Sequence, residues 1–148
     1  MTIDGDMIAQ RTVRTLNPME FTILEQRVLS WIASHASDDI IKAQVEMAIP
    51  TARKHTGAGS YTRLETDSAI KSISEGFLGR NGQGPIYGPD VITPDLGLAA
   101  CTHVFVENGR IACLEIAAYG SSFPETLEEF SLADDEEANQ LAKQPRKS

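Results

Sequence analysis

The sequence contains few of the residues that most often mark a chemical site. It has two cysteines and three histidines in 148 residues, and they are not spaced as metal ligands. It also lacks a Gly-x-Ser-x-Gly elbow, a dinucleotide-binding glycine fingerprint and the Gly-Lys-Ser/Thr of a nucleoside-triphosphate loop. We therefore expect no metal and no cofactor, and we assign no catalytic residue. The pattern favours a protein that is not an enzyme.

Long apolar runs and a basic surface are also missing. No apolar segment approaches the roughly 20 residues that a membrane-spanning helix needs, and the N-terminal MTIDGDMIAQRTVR does not have the apolar centre of a secretory signal. The formal net charge is −8, and residues 125–137 carry seven acids without a base. A chain of this charge with no basic stripe binds nucleic acid poorly. We expect neither a membrane nor a nucleic acid as partner.

The strongest structural signal is a β-hairpin within residues 97–119, GLAACTHVFVENGRIACLEIAAY. Its two apolar runs flank Asn108-Gly109, and this pair favours a two-residue type I′ turn because both positions need a positive φ. Such a turn fixes a register in which Glu107 faces Arg110 as a charge pair. The further pairs in this register are Val106–Ile111, Phe105–Ala112, Val104–Cys113, His103–Leu114 and Thr102–Glu115.

The alternation of side chains in this register predicts two faces, both largely apolar, so the hairpin should be central and covered in part on each side. One face carries Cys101, His103, Phe105, Ala112, Leu114 and Ile116, and the other carries Thr102, Val104, Val106, Ile111, Cys113 and Glu115. The two cysteines then point apart, which excludes a disulfide between them. Buried free thiols are typical of a reducing compartment, so we expect a cytoplasmic protein.

Two polar residues interrupt the apolar runs of the hairpin. Glu115 is either a carboxylate near an edge that reaches water or an arginine, or a site carboxylate. His103 is either a satisfied half-buried histidine or a site residue. Because the predicted register places them on opposite faces, we do not expect them to form a pair.

Two helices are predicted before the sheet. Asn17-Pro18-Met19-Glu20 has the form of a helix start, and Phe21, Leu24, Val28 and Trp31 recur at helical spacing with Glu25 on the wet side. A second helix should run from about Ser37 to Ile49 and end at Pro50. Short strands at 52–56 and 60–66 surround Gly57-Ala58-Gly59, which we interpret as a tight turn rather than a phosphate loop.

The predicted fold class is α+β, with the helical pair packed on a small, mainly antiparallel sheet centred on the hairpin at 98–118. Residues 1–16 form an N-terminal arm, 17–132 a single domain and 133–148 a flexible charged tail. The segment 79–97 is rich in glycine and proline and should be a long loop with a short strand near Ile86 and Tyr87. Phe123, Leu127, Phe130 and Leu132 should pack back on the core.

Three segments together resemble a family of small bacterial proteins without an assigned activity: HTGAGSYTRLE at 55–65, HVFVENGRIACLE at 103–115 and AYGSSFPE at 118–125. The shared features are a Thr-Gly-x-Gly-aromatic turn, a strand that ends in Glu-Asn/Asp-Gly, and Leu-Glu before Tyr-Gly and Phe-Pro. In this chain Ser60 precedes the aromatic Tyr61, a small departure. The resemblance covers residues 17–132, and it implies the extent of the domain and not a mechanism.

Two functions are open at this point. The favoured one is protein–protein association, as a homo-oligomer such as a homodimer or as an accessory or immunity-like binding module. The alternative is a small-ligand-binding protein or enzyme with a pocket between the Gly-rich loop 79–97 and the hairpin. The candidate binding residues are His55, Tyr61, Tyr87, His103, Glu115 and Tyr119.

Overall fold

The computed structural model describes residues 19–73, 84–93, 96–127 and 129–133. The elements are α1 Ile23–His35, α2 Asp39–Glu46, β1 Ile49–His55, β2 Gly59–Glu65, β3 Gly84–Tyr87, β4 Asp90–Thr93, β5 Leu98–Glu107, β6 Arg110–Ala118 and β7 Ser131–Ala133. The described strands form one sheet in the order β1-β2-β6-β5-β4-β7, with β3 paired to β5 beside β4, and each of these pairings is antiparallel. The structure confirms the predicted α+β class. The predicted arm at 1–16 and residues 134–148 of the predicted tail lie outside the described residues.

Helix α1 begins later than the sequence pattern predicted. The side-chain oxygen of Thr22 accepts a hydrogen bond from the Glu25 N–H at 3.1 Å, and Glu25 Oε1 accepts one from the Thr22 N–H at 2.9 Å. This reciprocal capping box satisfies two N–H groups of the first turn. The predicted start at Asn17 is wrong, because residues 19–22 are not helical. Asn17 and Pro18 themselves lie outside the described residues.

Helix α2 is shorter than predicted. Asp38, rather than Ser37, caps it by accepting a hydrogen bond from the Ile41 N–H at 3.0 Å, and the helix ends at Glu46. The predicted extension to Ile49 is wrong, because Ile49 and Pro50 begin strand β1. Proline lacks the N–H that a central strand must donate, and β1 lies at the edge of the sheet where that loss is tolerated.

The hydrophobic core lies between the two helices and one face of the sheet. Phe123 is buried in it, and Leu127, Phe130 and Leu132 are partly buried against it, as predicted. Ile73, from the segment after β2, is also buried there. The helices contribute Val28, Leu29, Ile32, Ala33, Ile41 and Val45, and the sheet contributes Leu64, Val91, Ala100, Val104, Val106, Ile111, Leu114 and Ile116.

The hairpin turn forms as predicted, but the register changes two residues beyond it. Asn108 has φ 53° and Gly109 has φ 78°, and Val106 lies opposite Ile111. Ala112 is then an extra residue on β6, a β-bulge, so that Phe105 lies opposite Cys113. The predicted pairs from Phe105–Ala112 onward are wrong. The observed pairs are Phe105–Cys113, Val104–Leu114, His103–Glu115 and Thr102–Ile116.

A side chain from α2 accounts for the irregularity near the turn. Gln44 is fully buried, and its Oε1 accepts a hydrogen bond from the Ile111 N–H at 3.0 Å. Its Nε2 donates to the carbonyl oxygens of Gly109 at 3.0 Å and Lys71 at 2.9 Å. The side-chain amide of Gln44 therefore forms hydrogen bonds with main-chain groups beside the bulge, where hydrogen bonding between the two strands is interrupted.

The guanidinium of Arg110 has other partners than the one predicted. It donates to the Thr66 hydroxyl and to the carbonyl oxygens of Asp67, Ser68 and Ile70. Glu107 lies opposite Arg110 in the hairpin as predicted, but within the described residues the two side chains form no ion pair, so the predicted charge pair is wrong. Arg110 instead fastens the segment after β2 to the hairpin.

Candidate functional site

The face of the sheet that points away from both helices carries most of the candidate residues. We call it the outer face; on β2, β5 and β6 it includes Tyr61, Arg63, Glu65, Cys101, His103, Phe105, Glu107, Cys113, Glu115 and Ala117. On β5 the alternation is regular: Thr102 and Val104 are buried, while Cys101, His103 and Phe105 are half-buried. The predicted faces are therefore wrong for β6 beyond the bulge, because Leu114 and Ile116 join the core and Cys113 and Glu115 join the outer face.

Four of the six predicted site residues form one line across the sheet. Lys54 lies opposite Tyr61, Tyr61 opposite Glu115, Glu115 opposite His103 and His103 opposite Tyr87. We call these five residues the transverse row. The bulge creates it, because without the extra Ala112 the carboxylate of Glu115 would point toward the helices. The prediction that His103 and Glu115 do not meet is therefore wrong.

Four members of the transverse row, all except Lys54, contact one another. A hydrogen bond to the Glu115 carboxylate and its negative charge raise the pKa of the Tyr61 phenol. His103 Nδ1 lies 3.6 Å from Glu115 Oε1, and this buried nitrogen has no hydrogen-bond partner among the described residues. The Tyr87 ring meets the His103 ring edge-on, with 5.1 Å between the ring centroids. The Phe105 ring stacks on the His103 ring, with 6.0 Å between the centroids of Phe105 and His103. Aromatic contacts of this kind hold the imidazole in place.

The geometry of the row suits contact with a surface better than chemistry on a small molecule. Tyr61 is 44% exposed and Tyr87 is 69% exposed, so the row lies open on a sheet face. Sites for small molecules are usually concave and bury most of the ligand. In the described part of the chain, no three His, Cys, Asp or Glu side chains are grouped so that they could hold a metal ion.

The two cysteines lie on the same face, contrary to prediction. Cys101 lies opposite Ala117 and Cys113 lies opposite Phe105, so the two thiols are separated by four residues along the strands. At about 3.3 Å per residue this is roughly 13 Å, too far for a disulfide. Burial raises the pKa of both thiols, and nearby carboxylates add to the effect at Cys101. Both cysteines are free.

The remaining two predicted site residues lie away from the row. Tyr119 donates its hydroxyl to the Asp90 carboxylate, at 2.8 Å to Oδ2 and 2.9 Å to Oδ1. His55 is exposed at the end of β1, where it lines a cavity beside the first turn of α1. The structure therefore joins four candidates and separates the other two.

The same cavity adjoins a buried ion pair that the sequence pattern did not predict. Glu25 is 1% exposed, although we expected it on the wet side of α1. Its carboxylate accepts hydrogen bonds from Arg53 Nε at 2.7 Å, from Arg53 Nη2 at 2.5 Å and from the Thr62 hydroxyl at 2.6 Å. Burial alone would raise the pKa of Glu25, but these hydrogen bonds, that from the Thr22 N–H and the charge of Arg53 outweigh it and lower the pKa.

Sequence reasoning also missed Lys54 and Arg63, the basic residues of the outer face. Their signal is weak, because any charged residue on a strand is first interpreted as solvated. The Glu25 contact had a clearer signal. Thr22-x-x-Glu25 matches a capping box, and Glu25 is spaced three and seven residues before Val28 and Ile32, which are both buried.

Comparisons with known proteins do not indicate a family or a function for this chain. The chain matches no protein-family model, no curated protein and no solved structure. The resemblance to a family of small bacterial proteins stays a prediction. Among the described residues, neither helix has the length and apolar character required to cross a membrane.

Proposed function

We propose that this protein acts by protein–protein association, and that the outer face binds a second copy of the chain. The observation that carries the proposal is the transverse row, in which two exposed tyrosines flank a histidine and a glutamate on a face that neither helix covers. Tyrosine is enriched at the centres of protein interfaces, because its large ring loses little conformational freedom on binding.

The exposed basic residues of the outer face lie together near one edge of the sheet. The basic residues Lys54 and Arg63 lie on β1 and β2, at one side of the sheet. Glu107 is exposed on the central strand β5, and Asp90 on β4 is buried, where it accepts a hydrogen bond from the Tyr119 hydroxyl. A twofold axis parallel to the strands reverses the strand order in the second copy, so β1 and β2 of each copy face β4 and β7 of the other.

The position of the twofold axis follows from the order of the strands. The middle of β1-β2-β6-β5-β4-β7 lies between β6 and β5, which are the two strands of the central hairpin. An axis there places His103 against Glu115 of the second copy and Tyr61 against Tyr87 of the second copy. His103 Nδ1, which has no hydrogen-bond partner among the described residues, would then gain a second carboxylate nearby.

The size of the outer face sets the expected affinity. Its strands are spaced about 4.8 Å apart, so the face measures roughly 20 Å by 20 Å. This is smaller than the about 800 Å² per partner that stable complexes bury. We therefore expect a reversible dimer with a dissociation constant on the order of 1–10 μM.

A charge exchange between His103 and Glu115 tests the proposal. In His103→Glu alone, two glutamates face each other at both symmetry-related contacts, and in Glu115→Arg alone an arginine faces a histidine. Each variant should dimerise at least about tenfold more weakly than wild type in sedimentation equilibrium. An equimolar mixture should form a heterodimer, since both contacts then pair opposite charges.

The control for this experiment is Met47→Glu, which changes a residue that is 60% exposed at the C-terminal end of α2. It should dimerise like wild type. Thermal unfolding of each variant at low concentration separates loss of association from loss of folding. A wild-type chain that stays monomeric at about 100 μM, or variants that dimerise normally, would contradict the proposal.

The two free thiols fit a reducing compartment, and we propose a cytoplasmic location on that basis. The predicted pocket between residues 79–97 and the hairpin involves residues 79–83 and 94–95, which lie outside the described residues. It stays a prediction.

A further inference from the structure

A semi-enclosed cavity of about 350 Å³ lies on the helical side of the sheet, away from the outer face. Its walls are the first turn of α1, the hairpin of β1 and β2, and the segment after β6. This volume falls within the range of small-molecule sites in proteins.

Most of the lining is apolar, and it comes from three separate parts of the chain. Leu24 belongs to α1, Ile116 to β6, and Phe123 and Leu127 to the segment that follows β6. Phe123 is anchored there, because it is 6% exposed and its N–H donates to the Gly57 carbonyl oxygen at 2.9 Å. The cavity can therefore hold the apolar body of a ligand between fixed walls.

The polar groups of the cavity include donors without partners. Arg53 donates from Nε and Nη2 to Glu25 and from Nη2 to the Glu20 carbonyl oxygen. Within the described residues its Nη1 has no protein partner and is open to solvent, as are the Ser60 hydroxyl and the exposed His55 ring. Arg53 is fixed by its bidentate contact, so its remaining donor is already oriented before a ligand arrives.

We propose that this cavity binds a small organic carboxylate with an apolar body the size of one aromatic ring. Arginine and serine can both donate to a carboxylate, and a charged donor favours an ionised acceptor over a neutral one. The Glu25 carboxylate does not block this role, since its four hydrogen bonds already come from Arg53, Thr62 and Thr22. The other carboxylate of the lining, Glu125, is exposed to solvent. The proposal is independent of the outer face.

The first test uses phenylacetate as the probe and phenylacetamide as its neutral isostere. Both are titrated into the full-length, isotopically labelled protein while amide shifts are followed by NMR. Phenylacetate should shift the amides of the cavity wall, with a dissociation constant of about 1 mM or tighter, and phenylacetamide should bind at least about fivefold more weakly. Equal binding of acid and amide, or no shift with about 10 mM phenylacetate, would overturn the proposal.

A cavity-filling variant shows whether the probe binds at this place. Leu127→Trp adds volume at the wall and should abolish the phenylacetate shifts. The control Leu96→Trp, at a position that is 57% exposed and outside the cavity lining, should bind like wild type. Ser60→Ala should reduce the preference for the acid without abolishing binding, and it keeps the test decisive if Leu127→Trp fails to fold. Shifts that persist in a folded Leu127→Trp would place the site elsewhere and refute the assignment.

Discussion

At the scale of single residues, the buried carboxylate of Glu25 connects several elements of the fold. It joins the first turn of α1 to two strands, because it pairs with Arg53 on β1 and accepts the Thr62 hydroxyl on β2. A buried ion pair contributes little net stability compared with an apolar pair of the same shape, but removal of one partner leaves the other buried without compensation. The arrangement therefore fixes how α1 docks more than it adds to stability.

Replacement of Glu25 by Gln should destabilise the protein by about 3 kcal/mol at neutral pH, because Arg53 loses its counter-charge. The pH dependence follows from the lowered pKa of Glu25. A carboxyl with a folded-state pKa below its usual 4.5 stabilises the fold fully above that pH, and the contribution is lost as the pH falls through the folded value. Urea unfolding at several pH values should show the gap between wild type and variant shrinking below about pH 4.5.

The matched control for this prediction is Glu46→Gln on the exposed side of α2. It should change the stability by no more than about 0.5 kcal/mol at neutral pH. A gap between wild type and Glu25→Gln that stays constant from neutral to acidic pH would show that the ionised carboxylate is not the stabilising group.

At the scale of elements, the hairpin depends on a contact that no local pattern contains. The turn at Asn108-Gly109 could be predicted, because two adjacent positive φ angles leave few choices of residue. The bulge at Ala112 could not, since Gln44 reaches the Ile111 N–H from 67 residues away in sequence. One extra residue exchanges the faces of everything that follows on the strand. The predicted faces of the β6 residues that follow Ile111 were therefore wrong.

Replacement of Gln44 by Leu should destabilise the protein by about 1–3 kcal/mol, because it leaves the buried Ile111 N–H without its hydrogen-bond partner. Gln26→Leu, at an exposed position of α1, should change the stability by no more than about 0.5 kcal/mol. Denaturant unfolding measures both values. Hydrogen exchange at Ile111 should also become faster in the Gln44 variant, and unchanged protection there would contradict the proposed role of the amide.

The candidate site was predictable in its members but not in its arrangement. Tyr61, Tyr87, His103 and Glu115 drew attention as polar or aromatic residues in or near strands, and that depends only on local composition. Their alignment depends on the pairing of four strands and on the bulge. Lys54 completes the row, and only the pairing of β1 with β2 identifies it.

At the scale of the whole molecule, the chain has one covered and one open sheet face. The fold class was predictable because the helical period at 21–32 and the hairpin signal are both strong and lie apart in the sequence. The cavity was not predictable, since its walls come from three regions that meet only through the sheet. Which face the helices cover was also open, because both hairpin faces are rich in apolar residues.

The proposed dimer should weaken as the salt concentration rises. Lys54 and Arg63 are exposed, and charge pairs across a small interface are screened when the Debye length falls from about 14 Å to about 4 Å. Sedimentation velocity at about 0.05 M and about 0.5 M NaCl should show a several-fold increase in the dissociation constant. A dimer that tightens with salt would instead indicate an interface dominated by apolar contact.

The edges of the sheet limit the directions in which such an assembly can grow. On one side, β1 contains Pro50, an irregular register between Pro50 and Ala52, and two consecutive basic residues. On the other side, β7 is only three residues long. Proline, charge and shortness all discourage an incoming strand from extending a sheet. Copies of this chain are therefore poorly suited to line up edge to edge into fibres, and the proposed stacking across the outer face would close after two molecules.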